Sequence, residues 1–211
     1  MSMTTGATMS RKPNRRGVAA REKLLSTAVE MLGTGRPETV SINMVAKEAG
    51  LSWGSVQNLF GDSDGFWSAV ADQVAEVGPE LWAAPTSTTI AGRVAEVTEL
   101  YLAVLDSPHA VSVETMRWAL PRPLDVLAET HPRTAASIRR LDELASEAFV
   151  HFFDGVEGLD EERRTAMSEV LPAMLRSLRN EKLLGTHVDL DRAHRAIVTM
   201  LTAYLEGSAG D

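Results

Sequence analysis

The spacing of small residues within positions 41–60 restricts the fold of this chain more than any other feature of its sequence. Ala46 lies where two short helices would cross, so a larger side chain there would push them apart. Gly50 follows at a turn expected to need a positive φ, which glycine adopts without steric cost. Four apolar residues supply the small core that sets the helices at a steep angle: Val45, Leu51, Val56 and Leu59. The pattern is typical of a helix-turn-helix, and an ordinary helical hairpin is the alternative for this segment alone.

The charge of the chain is divided unevenly along its length. The net charge is −8, yet residues 1–60 carry eight Lys and Arg against four acids, which gives +4 there and −12 in the remainder. A basic first part and an acidic remainder favour a DNA-binding unit attached to a body that does not bind DNA. The alternative is a disordered basic tail with a solvated charged face.

Apolar residues recur at helical spacing along most of the chain, and no alternating strand pattern is present. The sequence therefore predicts an all-α fold of about nine helices, which begin near residues 16, 42, 52, 63, 90, 108, 132, 160 and 190. Pro121 and Pro123 are expected to interrupt the chain, whereas Pro132 suits the first turn of a long helix.

Several classes of protein find little support in the sequence. The chain has no cysteine, no apolar run long enough to span a membrane and no apolar segment near its start that would suit a secretory signal. A glycine-rich phosphate loop and a metal-binding histidine spacing are also missing. We therefore expect a cytoplasmic protein without a cofactor, membrane contact or catalytic residues, and an enzyme on a helical scaffold is the most distant alternative.

The residues around the turn resemble the signature of the TetR family of transcriptional regulators. The matching positions are Thr39 to Ile42, Val45-Ala46, Glu48 to Val56 and Phe60, with Leu24-Leu25, Ala28 and Gly35 upstream. This resemblance covers about residues 18–75, and the later helices are similar to the family only in number and length. It implies three parts: a flexible basic arm at 1–15, a three-helix DNA-binding domain at 16–62, and a helical effector-binding and dimerisation domain at 63–211.

The resemblance further implies a ligand-responsive repressor that binds a near-palindromic double-stranded operator as a homodimer. Two departures oppose this: the family usually has Tyr where this chain has Gln57, and Lys where it has Ser63. The family lysine commonly contacts DNA phosphate, and Asp62 and Asp64 make that position less favourable to an anion. The alternative is therefore a TetR-like dimeric ligand-binding or interaction protein that has lost DNA binding.

The helix from Ser52 to Phe60 is expected to lie in the major groove, with Val56 and Phe60 facing inward. Gln57 or Asn58 is then placed to bond adenine, and the Trp53 ring to pack on thymine methyl groups. The candidate DNA-binding residues are Ser41, Lys47, Ser52, Trp53, Gly54, Ser55, Gln57 and Asn58. Of these, Ser41, Lys47 and Ser55 suit phosphate contacts.

The acidic remainder of the chain carries the candidates for effector binding and for dimerisation. A bulky, mostly apolar effector, neutral or cationic, is expected among Trp82, Tyr101, Met116, Trp118, Phe149 and Phe152, with Arg117 and His151 as polar candidates. Core packing is the alternative for each of these residues. In the family the last two helices pair across a two-fold axis. The corresponding apolar residues here are Leu171, Leu175, Leu178, Ala193, Ile197, Met200, Leu201 and Tyr204, for which intramolecular packing is an equally compatible role.

Overall fold

The computed structural model describes residues 15–77 and 83–207, and the expected arm at 1–15 lies outside these residues except for Arg15. The described residues form ten α-helices and one short 3-10 helix, Pro37–Thr39, with no strand. The all-α prediction is confirmed. The helices are α1 (Arg15–Leu32), α2 (Ile42–Glu48), α3 (Trp53–Phe60), α4 (Ser63–Val77), α5 (Ile90–Leu105), α6 (Pro108–Ala119), α7 (Leu124–Thr130), α8 (Pro132–Phe152), α9 (Glu161–Leu184) and α10 (Leu190–Glu206).

The predicted number of about nine helices is corrected to ten, because α7 was expected to be an interruption. Pro123 does not block α7, since it stands at the position just before the helix. Its carbonyl oxygen accepts the backbone N–H of Leu127 at 3.1 Å, and a proline at a helix start loses no intrahelical hydrogen bond. Pro132 occupies the first position of α8, as predicted.

Two hydrophobic cores hold the helices together. The first joins α1 to α4 with α6, α7 and the beginning of α8, so that Phe66 and Trp67 pack with Met116 and Ile138. The second joins α5, the end of α8, α9 and α10. The packing therefore continues across residues 62 and 63, and the domain boundary placed there stays a prediction about functional units.

Helices α4 and α8 run parallel and connect the two parts of the molecule. The hydroxyl of Ser68 lies 3.0 Å from that of Ser137, and the Ser63 hydroxyl lies 3.3 Å from Nε2 of His131. α8 thus begins beside the segment that follows α3 and extends into the second core. The start of α8 is thus in direct contact with the start of α4.

Candidate DNA interface and ligand cleft

The segment between α2 and α3 has the geometry of a helix-turn-helix. Gly50 has a φ of +67°, the positive value that the sequence predicted. The next residue, Leu51, donates its backbone N–H to the Ala46 carbonyl at 2.8 Å, which closes the turn. Each helix is capped at its start, because Ser41 accepts the N–H of Met44 and Ser52 accepts that of Ser55, both at 3.3 Å.

Apolar side chains on the inner face fix the orientation of α3. Val45 and Val56 are fully buried, Ala46 is buried at the helix contact, and Phe60 closes the core at the end of α3. The Phe60 ring meets the Phe66 ring edge-on at 5.2 Å between centroids. The predicted inward orientation of Val56 and Phe60 is therefore confirmed, and the opposite face of α3 is left for another surface.

The eight candidate DNA-binding residues lie on the surface of this unit. Seven are exposed, and Ser55 is half-buried beside the Ser52 hydroxyl. Trp53 is the largest of them, with 37% of its surface exposed at the first position of α3. Gln57 and Asn58 follow on the same exposed side. Because these side chains are accessible, they are able to contact DNA, and those contacts stay a prediction.

The two acids at the start of α4 share one cation, Arg133, that the sequence did not bring to attention. Arg133 of α8 pairs with Asp62, and its Nε lies 3.1 Å from Oδ2 of Asp64. Burial by itself would raise the pKa of Asp64, but hydrogen bonds from the backbone and side chains of Thr134 and Arg133 hold that pKa below its ordinary value. No local pattern predicts Arg133 here, because it lies about 70 residues away in the chain.

A cleft of about 1090 Å³ lies between α5, α6, α8, α9 and the loop that joins α6 to α7. Two of the candidate effector-binding residues, Tyr101 and Trp118, line it. Trp118 keeps 55% of its surface exposed, whereas Tyr101 is buried at its edge. His151, a polar candidate, also borders the cleft and binds Asp154 through Nδ1 at 3.0 Å.

The other candidates for effector binding do not line the cleft. Met116 is fully buried in the first core, and Phe149 and Phe152 are buried in the second. Phe149 supports the cleft from behind, since its ring centroid lies 4.8 Å from that of Tyr101. Trp82 lies outside the described residues. A bulky apolar side chain suits a core and a cavity wall equally well, so sequence alone does not separate the two roles.

Three of the charged residues that line the cleft are held in ion pairs. Arg117 of α6 binds Asp142 of α8 at 2.6 Å, and Glu114 binds the buried Arg179 of α9. Burial raises the pKa of the Tyr101 phenol, so this hydroxyl stays protonated near neutral pH. Burial also lowers the pKa of His109, which keeps that imidazole neutral at pH 7.

The apolar residues of α9 and α10 divide between packing and exposure. Leu171, Leu175, Leu178, Ile197 and Leu201 are buried in the second core, and the partly buried Ala193 packs against it. Met200 and Tyr204 instead keep 54% and 46% of their surfaces exposed on α10. The intramolecular role is thus confirmed for the buried set, whereas the exposed pair lies outside that core, with the Arg163 guanidinium 5.6 Å from the Tyr204 ring centroid.

Residues 15–77 and 83–207 contain neither a membrane-spanning helix nor a cluster of metal ligands. No helix in these ranges combines the length and the hydropathy that a membrane-spanning segment needs. In the same ranges, no three His, Asp or Glu side chains are placed together as metal ligands.

Comparison with known proteins gives a structural relationship and no sequence relationship. No protein-family model and no curated protein matches the sequence. Among solved structures, the crystal structure of a TetR transcriptional regulator from Rhodococcus sp. RHA1 superposes with a TM-score of 0.51 at 18% sequence identity. The superposition covers 92% of this chain and 98% of the other. The resemblance inferred from the residues around Gly50 is therefore confirmed for the fold, and this chain has the fold of a TetR transcriptional regulator.

Proposed function

We propose that this protein is a DNA-binding transcriptional repressor that acts in the cytoplasm, binds a near-palindromic operator as a homodimer, and releases it when a small molecule binds. The observation that carries the proposal is the exposed face of α3. Trp53, Gln57 and Asn58 present an aromatic ring and two amide side chains from a helix whose inner face is fixed by buried Val56. An α-helix of this kind fits the major groove, where amides bond adenine and apolar groups contact thymine methyls.

The charge distribution around this face supports phosphate contacts. Lys47 is exposed at the end of α2, and the guanidinium of Arg21 lies over the Phe60 ring at 5.3 Å from its centroid. The acids at the start of α4 would repel DNA phosphate most strongly if their carboxylates had no cationic partner. Asp64 is buried and both acids share Arg133, which reduces the negative charge at this position from two to one and so lessens its repulsion of phosphate.

The proposal of a homodimer follows from the short length of α3 and from the exposed apolar residues of α10. A single α3 of eight residues contacts few base pairs, and two copies double the readout at a two-fold related site. Met200 and Tyr204 supply an exposed apolar face that a second copy would cover. The fold similarity to a transcriptional regulator supports the regulatory part of the proposal.

A gel-shift experiment with the full chain tests the proposal. DNA fragments flanking the protein's own gene are the probes, and the double variant Trp53→Ala/Gln57→Ala is compared with Gln73→Ala, which alters an exposed glutamine of α4 outside α3. We expect the wild type and Gln73→Ala to retard one fragment in the presence of competitor DNA, and the double variant to fail. If the wild type retards no fragment even at low salt, the protein is not a DNA-binding repressor.

A further inference from the structure

Two arginines that line the cleft form no ion pair among the described residues, and one of them, the exposed Arg176, indicates what the cleft binds. In the part of the chain that the structure describes, Arg176 of α9 forms no ion pair, and its Nη1 lies 3.4 Å from the hydroxyl oxygen of Tyr101. Arg122 also lines the cleft, but its guanidinium is stacked on the Trp118 ring, 4.3 Å from the centroid. Arg176 therefore presents an unpaired cation next to a buried phenol.

The remaining charges near Arg176 cancel in pairs. Arg117 is neutralised by Asp142, and Glu114 by Arg179. Within residues 15–77 and 83–207, Arg176 is thus left without an acid partner, and Arg122, stacked on Trp118, is a second cation of the cleft that forms no ion pair. The net charge of −12 beyond residue 60, with which a neutral or cationic ligand is expected, does not describe this local arrangement. A guanidinium without an acid partner matches an anionic group.

The opposite end of the cleft has the reverse charge. Glu169 lines it and precedes Arg176 by seven residues on α9, which separates the two by about 10 Å along the helix axis. Glu147 lines the same end, because neighbouring Ser146 lies against Ser168 of α9 at 3.4 Å. A ligand with one anionic group is therefore oriented with that group towards Arg176.

Apolar side chains cover much of the wall between these ends. Leu141 and Leu144 of α8 face the cleft together with Val113 and Trp118 of α6. Leu144 and Trp118 are exposed to solvent when the cleft is empty, so an apolar ligand that covers them gains from their burial.

We propose that the cleft binds an amphipathic monocarboxylate, with its carboxylate on the Arg176 guanidinium and the Tyr101 hydroxyl and its apolar part along Trp118 and Leu144. The Arg176 guanidinium and the Tyr101 phenol both donate hydrogen bonds to the carboxylate. Because these hydrogen bonds are charge-assisted, the cleft binds a carboxylic acid more tightly than the corresponding alcohol. This assignment names the chemical class of the effector of the proposed repressor. The effector role rests on the proposed function, whereas binding of the carboxylate does not.

Calorimetric titration of the full chain without DNA tests the assignment. The probes are octanoate, 1-octanol and octyltrimethylammonium, which share a chain length and differ in head-group charge. Octanoate is expected to bind at least about tenfold more tightly than the other two, which corresponds to one charge-assisted hydrogen-bonded pair. Equal binding of octanoate and octanol, or no binding of octanoate up to millimolar concentration, would overturn the proposal.

Two substitutions separate a binding role of Arg176 from a structural one. Arg176→Gln is expected to weaken octanoate binding about tenfold and to leave octanol binding unchanged. The control Arg139→Gln removes an exposed α8 arginine that does not line the cleft and is expected to change neither affinity. An equal loss for octanoate and octanol in Arg176→Gln would contradict the proposal. Because no DNA is present, this result is independent of the gel-shift experiment that tests repressor function.

Discussion

The carboxylate of Asp64, in the first turn of α4, caps the start of α8 by binding Thr134. Oδ1 of Asp64 accepts the Thr134 backbone N–H at 2.9 Å and its hydroxyl at 2.8 Å, while Oδ2 accepts the backbone N–H of Arg133 at 3.1 Å. Asp64 and Thr134 are both buried. The capping side chain thus comes from another helix, and it joins the end of the helix-turn-helix unit to the body of the protein.

This cap predicts that stability depends on the ionisation of Asp64. The folded-state pKa of Asp64 lies below its ordinary value, so its contribution is present above the unfolded pKa and is lost as the pH falls through the folded value. Asp64→Asn is expected to lower the free energy of unfolding at pH 7 by about 2 kcal/mol, because a charged acceptor of several buried hydrogen bonds is removed. Urea denaturation at pH 7 and at pH 3 measures the effect.

The acid series distinguishes the cap from a general loss of packing. The difference between wild type and Asp64→Asn is expected to shrink at pH 3, because Asp64 takes up a proton in the unfolded chain at a higher pH than in the folded chain. Asp72→Asn, on an exposed position of the same helix, is the matched control and is expected to stay within about 0.5 kcal/mol of wild type. An equal difference at the two pH values would show that the charge of Asp64 is not the source of its effect.

Two glycines of the helix-turn-helix are expected to respond oppositely to alanine. Gly50 has a positive φ, so Gly50→Ala is expected to lower the free energy of unfolding by about 1 kcal/mol. Gly54 lies inside α3, where a Cβ would meet only the Ser52 hydroxyl at 3.6 Å, and Gly54→Ala is expected to raise that free energy by up to about 1 kcal/mol. Thermal denaturation compares the two variants. A stabilising Gly50→Ala would contradict the role given to that turn.

The helix-turn-helix was predictable from the sequence because its determinants are local. Ala46, Gly50 and Val56 each act on neighbours within about ten residues, and their positions specify the turn and the inner face. α7 was not predicted, since Pro123 has the same appearance in a sequence whether it interrupts a helix or precedes one. The sequence therefore predicted the helix-turn-helix better than the helices that follow it.

The parts of the candidate sites that sequence analysis missed depend on contacts between distant residues. Asp62 and Asp64 look like uncompensated acids until α8 brings Arg133 to them. Arg176 becomes a candidate ligand-binding residue only because the fold places α9 beside Tyr101. Residue type and spacing do not predict which distant residues will pair. They do predict which face of a helix is exposed, because apolar residues recur at helical spacing on the opposite face.

A homodimer formed through α10 predicts that a charge on its exposed apolar face will separate the subunits. Light scattering at micromolar concentration is expected to give twice the chain mass of 22.9 kDa for the wild type. Met200→Glu is expected to raise the dissociation constant at least about tenfold, because burying an unpaired carboxylate in an interface is costly. Val126→Glu, which charges an exposed apolar position of α7, is the control and is expected to stay dimeric. A wild-type monomer at this concentration would contradict the proposed assembly.

If the helix-turn-helix binds DNA as proposed, its exposed residues are expected to divide between base recognition and phosphate binding. Trp53→Ala and Gln57→Ala should each reduce the preference for operator over scrambled DNA by about 1–3 kcal/mol, since groups that contact base edges carry sequence information. Lys47→Ala should weaken binding to both DNAs equally and lower the salt dependence of binding, because a phosphate contact contributes charge neutralisation. Fluorescence anisotropy at several salt concentrations measures both affinities for each variant. An operator preference that is unchanged in Trp53→Ala would show that this ring, although exposed at the start of α3, does not read the bases.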